Sequence, residues 1–345
     1  MSNQASKSRR TDEWVLLSGL RFFLATVVML QHCKYLVPDI MHASRPIRLG
    51  ALMGGPPSVY GFFLVSGYSI AASLHQNDHG FYLRRLARIY PVYLTCFALA
   101  MAAFAIVESP ITPEHRWWAL LMNAIGLPCI LARAVGTFGP SWSITCELIY
   151  YAVAPVIKRC TTKVLLICLG ASFLAFIWHH DNNWASLIYG RAVLGLAGFW
   201  LAGFLFYRHR DNRLAPPVFV AGIIAVYTLN WNTAEPYAGI NLLISVLAIV
   251  YTREIYFNRQ TARLLNYLGE ISYPLYLVHF PFYVIMYGYF HPIPRAHSHM
   301  IYLFPLGAIL AAMLIYHTVD RPARKFILEK FGVQKPLETM HAVVK

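Results

Sequence analysis

Long apolar runs recur along the chain, separated by short polar stretches in which arginine and lysine are frequent. A hydrocarbon layer about 30 Å thick takes ~20 helical residues to cross, fewer where neighbouring protein shields the ends. By that measure ten runs qualify, at 14–37, 57–75, 87–108, 140–157, 164–180, 187–207, 215–232, 237–252, 268–290 and 300–319. The pattern predicts an all-α, polytopic membrane protein of about ten transmembrane helices. Residues 1–13 are polar and basic and are expected to form a disordered cytoplasmic tail. Residues 14–320 make the transmembrane domain, and 321–345 a basic tail.

The first run, Trp14 to Val37, contains two ionisable residues, Arg21 and His32, 11 positions apart. On a helix that separation is about 1100°, three turns and roughly 20°, with ~16 Å of rise. Both side chains therefore project from one face at two depths. Ionisable groups inside a bilayer are costly and rare, which makes each one a candidate for function. The second run holds Ser66, Gly67 and Tyr68, and the fourth holds Glu147 among Ser141, Trp142, Ser143 and Tyr150. His279 lies within the ninth. Spans six and seven are rich in small residues, as close helix packing requires. Arg84, Arg85 and Arg88 open the third span; Arg84 and Arg88 are an i, i+4 pair, with Arg85 about 100° away. They fit either anionic lipid headgroups or the phosphates of a cytosolic ligand.

Charge alters the picture less than its size suggests. The net charge is +14, the hydrophobic fraction 58% and the charged fraction 13%. So few charges exclude an ordinary soluble domain. With the N-terminus in the cytoplasm, 21 of the 29 lysines and arginines fall on inner loops and tails. Five (Arg45, Arg48, Arg116, Arg133 and Arg295) fall outside, and Arg21, Lys34 and Arg191 lie in or beside spans. Positive residues collect on the inner side, so both termini are expected in the cytoplasm, and the basicity reports orientation rather than nucleic-acid binding. The long first run carrying Arg21 and His32 does not read as a cleavable signal. Six cysteines form no C-x-x-C pair, and a Cys33–Cys129 disulfide is left open; His179, His180 and Asp181, being adjacent, do not make a metal site. No internal repeat, Walker loop or G-x-G-x-x-G occurs.

Five stretches together resemble the acyltransferase-3 family of integral membrane acyltransferases. They are Gly19-Leu20-Arg21 with His32; Phe62, Phe63, Ser66, Gly67 and Tyr68; and Arg84, Arg85, Arg88, Ile89, Pro91 and Tyr93. Then come Trp142, Ser143, Ile144, Glu147, Tyr150 and Tyr151, and finally Leu268, Gly269, Ser272, Tyr273, Leu275, Tyr276, Leu277, His279 and Pro281. Ser18 stands where that family often has an acidic residue. An extracytoplasmic hydrolase-like domain, common in the family, does not follow the last span, so a relay to one would need a partner.

The resemblance implies transfer of an acyl group, usually acetyl, from cytosolic acyl-CoA to a hydroxyl, commonly on a cell-surface polysaccharide or glycolipid. Acyl-CoA is the donor substrate, with no permanently bound cofactor and no metal, and the bacterial inner membrane is the expected location. His32 is the candidate base, because neutral imidazole suits deprotonation of a hydroxyl near neutral pH. Arg21, Glu147 and Ser66 complete the catalytic set: Arg21 binds the donor or steadies an oxyanion, and Glu147 orients His32 or pairs with Arg21. Arg84, Arg85, Arg88 and Tyr93 are assigned to acyl-CoA, and Trp142, Ser143, Tyr273 and His279 to the acceptor. Direct transfer and an acyl-histidine intermediate both remain open. The competing readings are a transporter or flippase, against which the missing inverted repeat counts, and acylation of a small hydrophobic molecule such as a macrolide.

Overall fold

The protein is described from a computed structural model covering residues 2–36, 45–107, 116–179, 184, 187–230, 237–290 and 302–333. Every described residue in regular structure is helical. A helix, long or short, overlaps each of the ten apolar runs: α1 (Ser2–Leu36), with α2 (Arg45–Leu52) after it, then α3 (Gly55–Gln76) and α4 (Phe81–Val107). The short α5 (Arg116–Ala124) precedes α6 (Ser141–Arg159), α7 (Thr162–Trp178), α8 (Arg191–His209), α9 (Ala215–Leu229) and α10 (Ala238–Tyr251). The chain closes with α11 (Arg259–Phe290), α12 (Leu303–Ile315), a π-turn at Tyr316–Asp320 and α13 (Arg321–Lys330). Stretches Glu13–Lys34, Phe81–Ile106, Arg191–His209 and Leu303–Lys330 are long and apolar enough to cross a membrane; α7, α9 and α10 are shorter apolar helices. The basic segment expected to trail from the last span begins as helix α13, which continues α12 through the π-turn; 334–345 lie outside the described residues, as does His180-Asp181.

Helix α1 packs along α11 and α3, α3 along α8 and α10, α8 along α7, and α11 along α12 and α4. Two small-residue contacts set how close these helices come. A Cβ added at Gly67 would lie 1.9 Å from the Trp200 carbonyl oxygen, and one at Gly203 would lie 2.0 Å from that of Leu64. Backbones of α3 and α8 therefore touch, as the glycine-rich sixth run predicts. Across the other side, a Cβ at Gly269 would sit 2.5 Å from the Cβ of Ser18.

Beyond these contacts the interior is aromatic. Tyr60 stacks on Phe199, and the Trp184 indole N–H donates to the Tyr60 hydroxyl at 3.0 Å. At the end where α1 enters the bundle, the buried Glu13 carboxylate accepts from the Tyr68 hydroxyl and lies 3.6 Å from Arg210. The Thr252 hydroxyl donates to the Glu13 carbonyl at 2.8 Å, so one residue ties α1, α3 and α10 together. Trp117 and Trp118 on α5 are exposed, as expected of residues at a membrane interface. Cys33 and Cys129 are buried free thiols, so the disulfide left open by the sequence is not formed.

Candidate active site

A cavity of about 740 Å³, including its mouth, opens where α1, α3, α4, α6 and α11 converge. Three of its wall residues are arginines: Arg21 from α1, and Arg85 and Arg88 from the first turns of α4. Facing them are Ser66 and Ser69 from α3, Ser143, Glu147 and Tyr151 from α6, and Ser272, Tyr273 and Tyr276 from α11.

The basic triplet divides differently from its helical spacing alone. Arg84 is buried, and its guanidinium donates to the carbonyls of His79 and, at 2.7 Å, Asn77. It fastens the loop that enters α4 and does not line the cavity. Arg85 and Arg88, three apart and so also on one face, are the two that reach it. The Arg85 guanidinium lies over the rings of Phe81 and Tyr151, with centroid distances of 5.5 and 5.8 Å. The expectation that Arg84 and Arg88 work together on one face thus gives way, because the turn at Asn77–Gly80 supplies carbonyls that hold Arg84.

Glu147 is held by neighbours on its own helix and on α3. Its Oε2 accepts from the Tyr151 hydroxyl at 3.0 Å, and that hydroxyl oxygen in turn lies 3.2 Å from Ser66 Oγ. Ser66 is also a hydrogen-bond partner of Glu147, so Ser66, Tyr151 and Glu147 form one hydrogen-bonded group along the wall. Both Arg85 and Arg88 act electrostatically on Glu147. A second carboxylate, Glu270, feels the charges of Arg88 and Arg21 and is bound by Arg324 at 2.6 Å. Arg324 also approaches the buried Asp320 at 3.4 Å, joining α11 to the π-turn.

His32 stands apart from this cavity wall. Its Nδ1 lies 2.9 Å from Nε2 of His279, and the rings stack at 5.0 Å between centroids. The two centres meet through Tyr276. Its ring lines the cavity on one side and lies 6.2 Å from the His279 ring on the other. The Ser143 hydroxyl donates to the Pro140 carbonyl at 3.1 Å and lies 2.8 Å from the Tyr276 hydroxyl, which therefore donates to it. Tyr273 also lines the cavity, and its hydroxyl donates to the Ile89 carbonyl.

Besides Arg84 and the two histidines, two further residues assigned from sequence do not line the cavity. Tyr93 is buried against Phe138 with its hydroxyl on the Asn123 carbonyl, and Trp142 is buried in the first turn of α6. Conversely, Tyr151 and Tyr276 had no functional assignment. The signals were available: Tyr151 is four residues after Glu147, and Tyr276 is three before His279, each a helical neighbour. Arg324 and Glu270, 54 residues apart, offer no local signal.

A family model described as an acyltransferase domain, of acyltransferase family 3, matches residues 15–317. The chain is 25% identical over 94% of both chains to a protein named acyltransferase MdmB from Streptomyces mycarofaciens. It is also 27% identical to protein 2 in the picA locus of Rhizobium radiobacter, over 47% of this chain and 91% of that one. No solved structure matches.

Proposed function

The chain belongs to the acyltransferase-3 family, and on that premise we propose that it carries an acyl group, acetyl first, from cytosolic acyl-CoA to a hydroxyl of a cell-surface or exported polysaccharide, working in the bacterial plasma membrane with both termini inside. The observation that carries this reading is the cavity in which Arg21, Arg85 and Arg88 face Glu147 and a hydroxyl-lined wall. A donor with several phosphates needs fixed cations, and guanidinium forks suit phosphate oxygens. Arg85 and Arg88 hold the phosphates at the first turns of α4. The acyl arm extends along the wall of Ser66, Ser143 and Tyr276 towards the histidine pair.

His32 then acts as the base. The acceptor oxygen attacks the thioester carbonyl carbon while its proton passes to the imidazole. The C–S bond breaks, the thiolate leaves with the electron pair, and the imidazole returns the proton to it. General acid–base assistance of this kind is worth ~10²–10⁴ in rate. Arg21, bonded to Ser18 a turn further from His32, adds a third cation to the end of the cavity that receives the phosphates. Tyr273 and Ser143 border the acceptor path.

Purified protein incubated with radiolabelled acetyl-CoA and extracted surface polysaccharide should yield ester-linked label on the polysaccharide. Absence of label there overturns the acceptor. Movement of glycan across reconstituted vesicles without acyl transfer would favour the transporter reading.

A further inference from the structure

We propose that His279 is a positioning residue that selects the tautomer of His32, holding its proton on Nδ1 so that Nε2 presents the lone pair. The inference deepens the reading of His32 as the base and rests on it. It follows from three observations about which atoms can donate.

The first is that His279 Nδ1 lies 2.9 Å from the carbonyl oxygen of Leu275, one turn back in α11. A carbonyl only accepts, so Nδ1 of His279 carries a proton. A neutral imidazole has one N–H, which leaves Nε2 of His279 as an acceptor. The second is that the atom facing this lone pair at 2.9 Å is His32 Nδ1. It must therefore be the donor, and the proton of neutral His32 sits there. Reversing the bond requires a doubly protonated His279, a cation in a site with 0% exposure. The third is that the two rings differ in access. His279 is enclosed, with Tyr283 against it at 5.9 Å between centroids, whereas His32 retains partial exposure. Only His32 has a nitrogen to offer a reacting hydroxyl, and that nitrogen is Nε2.

The chain Leu275 carbonyl, His279, His32 thus sets a direction for the proton step. The acceptor O–H proton moves to His32 Nε2 as the C–O bond forms and the C–S bond breaks. The departing thiolate then takes that proton from Nε2. In between, His32 holds both protons, and its Nδ1–H remains bonded to the His279 lone pair. The same division of labour between a base and the group that orients it operates in hydrolase triads, where the wrong tautomer costs about 10⁴ in kcat. A neutral partner such as His279 stabilises the charged form less than a carboxylate does, so a smaller effect is expected.

The test uses the full-length protein in lipid nanodiscs with acetyl-CoA and extracted surface polysaccharide. His279→Leu removes the acceptor, while His279→Gln keeps a carbonyl oxygen near the Nε2 position. We expect kcat to fall roughly 10²-fold in His279→Leu with KM for acetyl-CoA unchanged, and His279→Gln to recover most of the loss. Independently of activity, ¹⁵N-histidine spectra, with the His32 signals identified by their disappearance in His32→Ala, should show His32 protonated on Nδ1. In His279→Leu they should show a mixture of tautomers. Protonation on Nε2 in the unaltered protein overturns the proposal, as does unchanged kcat in His279→Leu or equal loss in both variants. If the unaltered protein transfers no acetyl, the proposed donor and acceptor fail instead, and the spectra still decide the tautomer.

Discussion

The arginine cavity and the histidine pair are both polar centres inside an apolar bundle, yet they are built on opposite plans. The cavity is lined by long side chains from five helices, and Arg85 and Arg88 face space sized for a ligand. The histidines are short, stiff and bonded to each other, with His279 fastened to its own helix. Flexible cations around a void suit a large anionic donor that must enter and leave. Fixed rings suit a proton transfer that depends on angles and tenths of an ångström. Binding and chemistry are thus assigned to separate places, joined at Tyr276.

The largest expected effect breaks one side of the comparison only. His32→Ala should lower acyl transfer by ~10²–10⁴-fold while leaving acetyl-CoA affinity and membrane insertion intact. A radiolabel assay beside equilibrium binding measures both, and unchanged transfer would remove His32 from the chemistry. The mirror experiment is Arg85→Ala with Arg88→Ala, which should weaken acetyl-CoA binding by about 10²-fold or more, each lost charged hydrogen bond to phosphate being worth about 1.5–3 kcal/mol net. Arg84→Ala should leave binding alone and instead lower thermal stability, since it removes the donors to His79 and Asn77. If Arg84→Ala weakened donor binding as much as the double change, the division within the triplet would fail.

Smaller effects test the frame that holds both centres. Gly67→Ala pushes a methyl into the Trp200 carbonyl and should cost about 1–3 kcal/mol through forced separation of α3 and α8, measured by thermal unfolding in detergent. The least effect is expected at the surface pair Lys158–Asp78, 3.0 Å apart. The Lys158 ammonium, through its hydrogen bond and charge, holds the Asp78 carboxyl below its ordinary value. A depressed folded-state pKa contributes stability that is present above the unfolded carboxylate's pKa and is lost as pH falls through the folded one. Asp78→Asn should therefore change stability only slightly at neutral pH and not at all in strong acid, because exposed pairs are weak.

How much of this was legible before the fold can be said residue by residue. Gly67 and Gly203 were readable as packing positions because a small residue in an apolar helix has few other uses. Arg21 and Glu147 stood out because a charge in hydrocarbon is costly, and both line the cavity. Helical spacing ranks residues by face but does not report the carbonyls of the preceding loop, so the position of Arg84 on Asn77 and His79 was not legible. The sequence singled out His32 and His279 separately and did not show that they meet.

By itself, then, the sequence determined the helices, the small residues at which they touch and the short roll of polar residues that must matter. These are consequences of local periodicity and of the cost of placing charge in lipid, and both act on windows of tens of residues. Only the tertiary structure decided that His32 meets His279 across 247 positions, that two of three neighbouring arginines reach the cavity, and that Tyr276 stands between the cavity and the histidine pair. Hydrogen bonds work over about 3 Å and through specific atoms, and which atoms come that close is settled by how the helices pack.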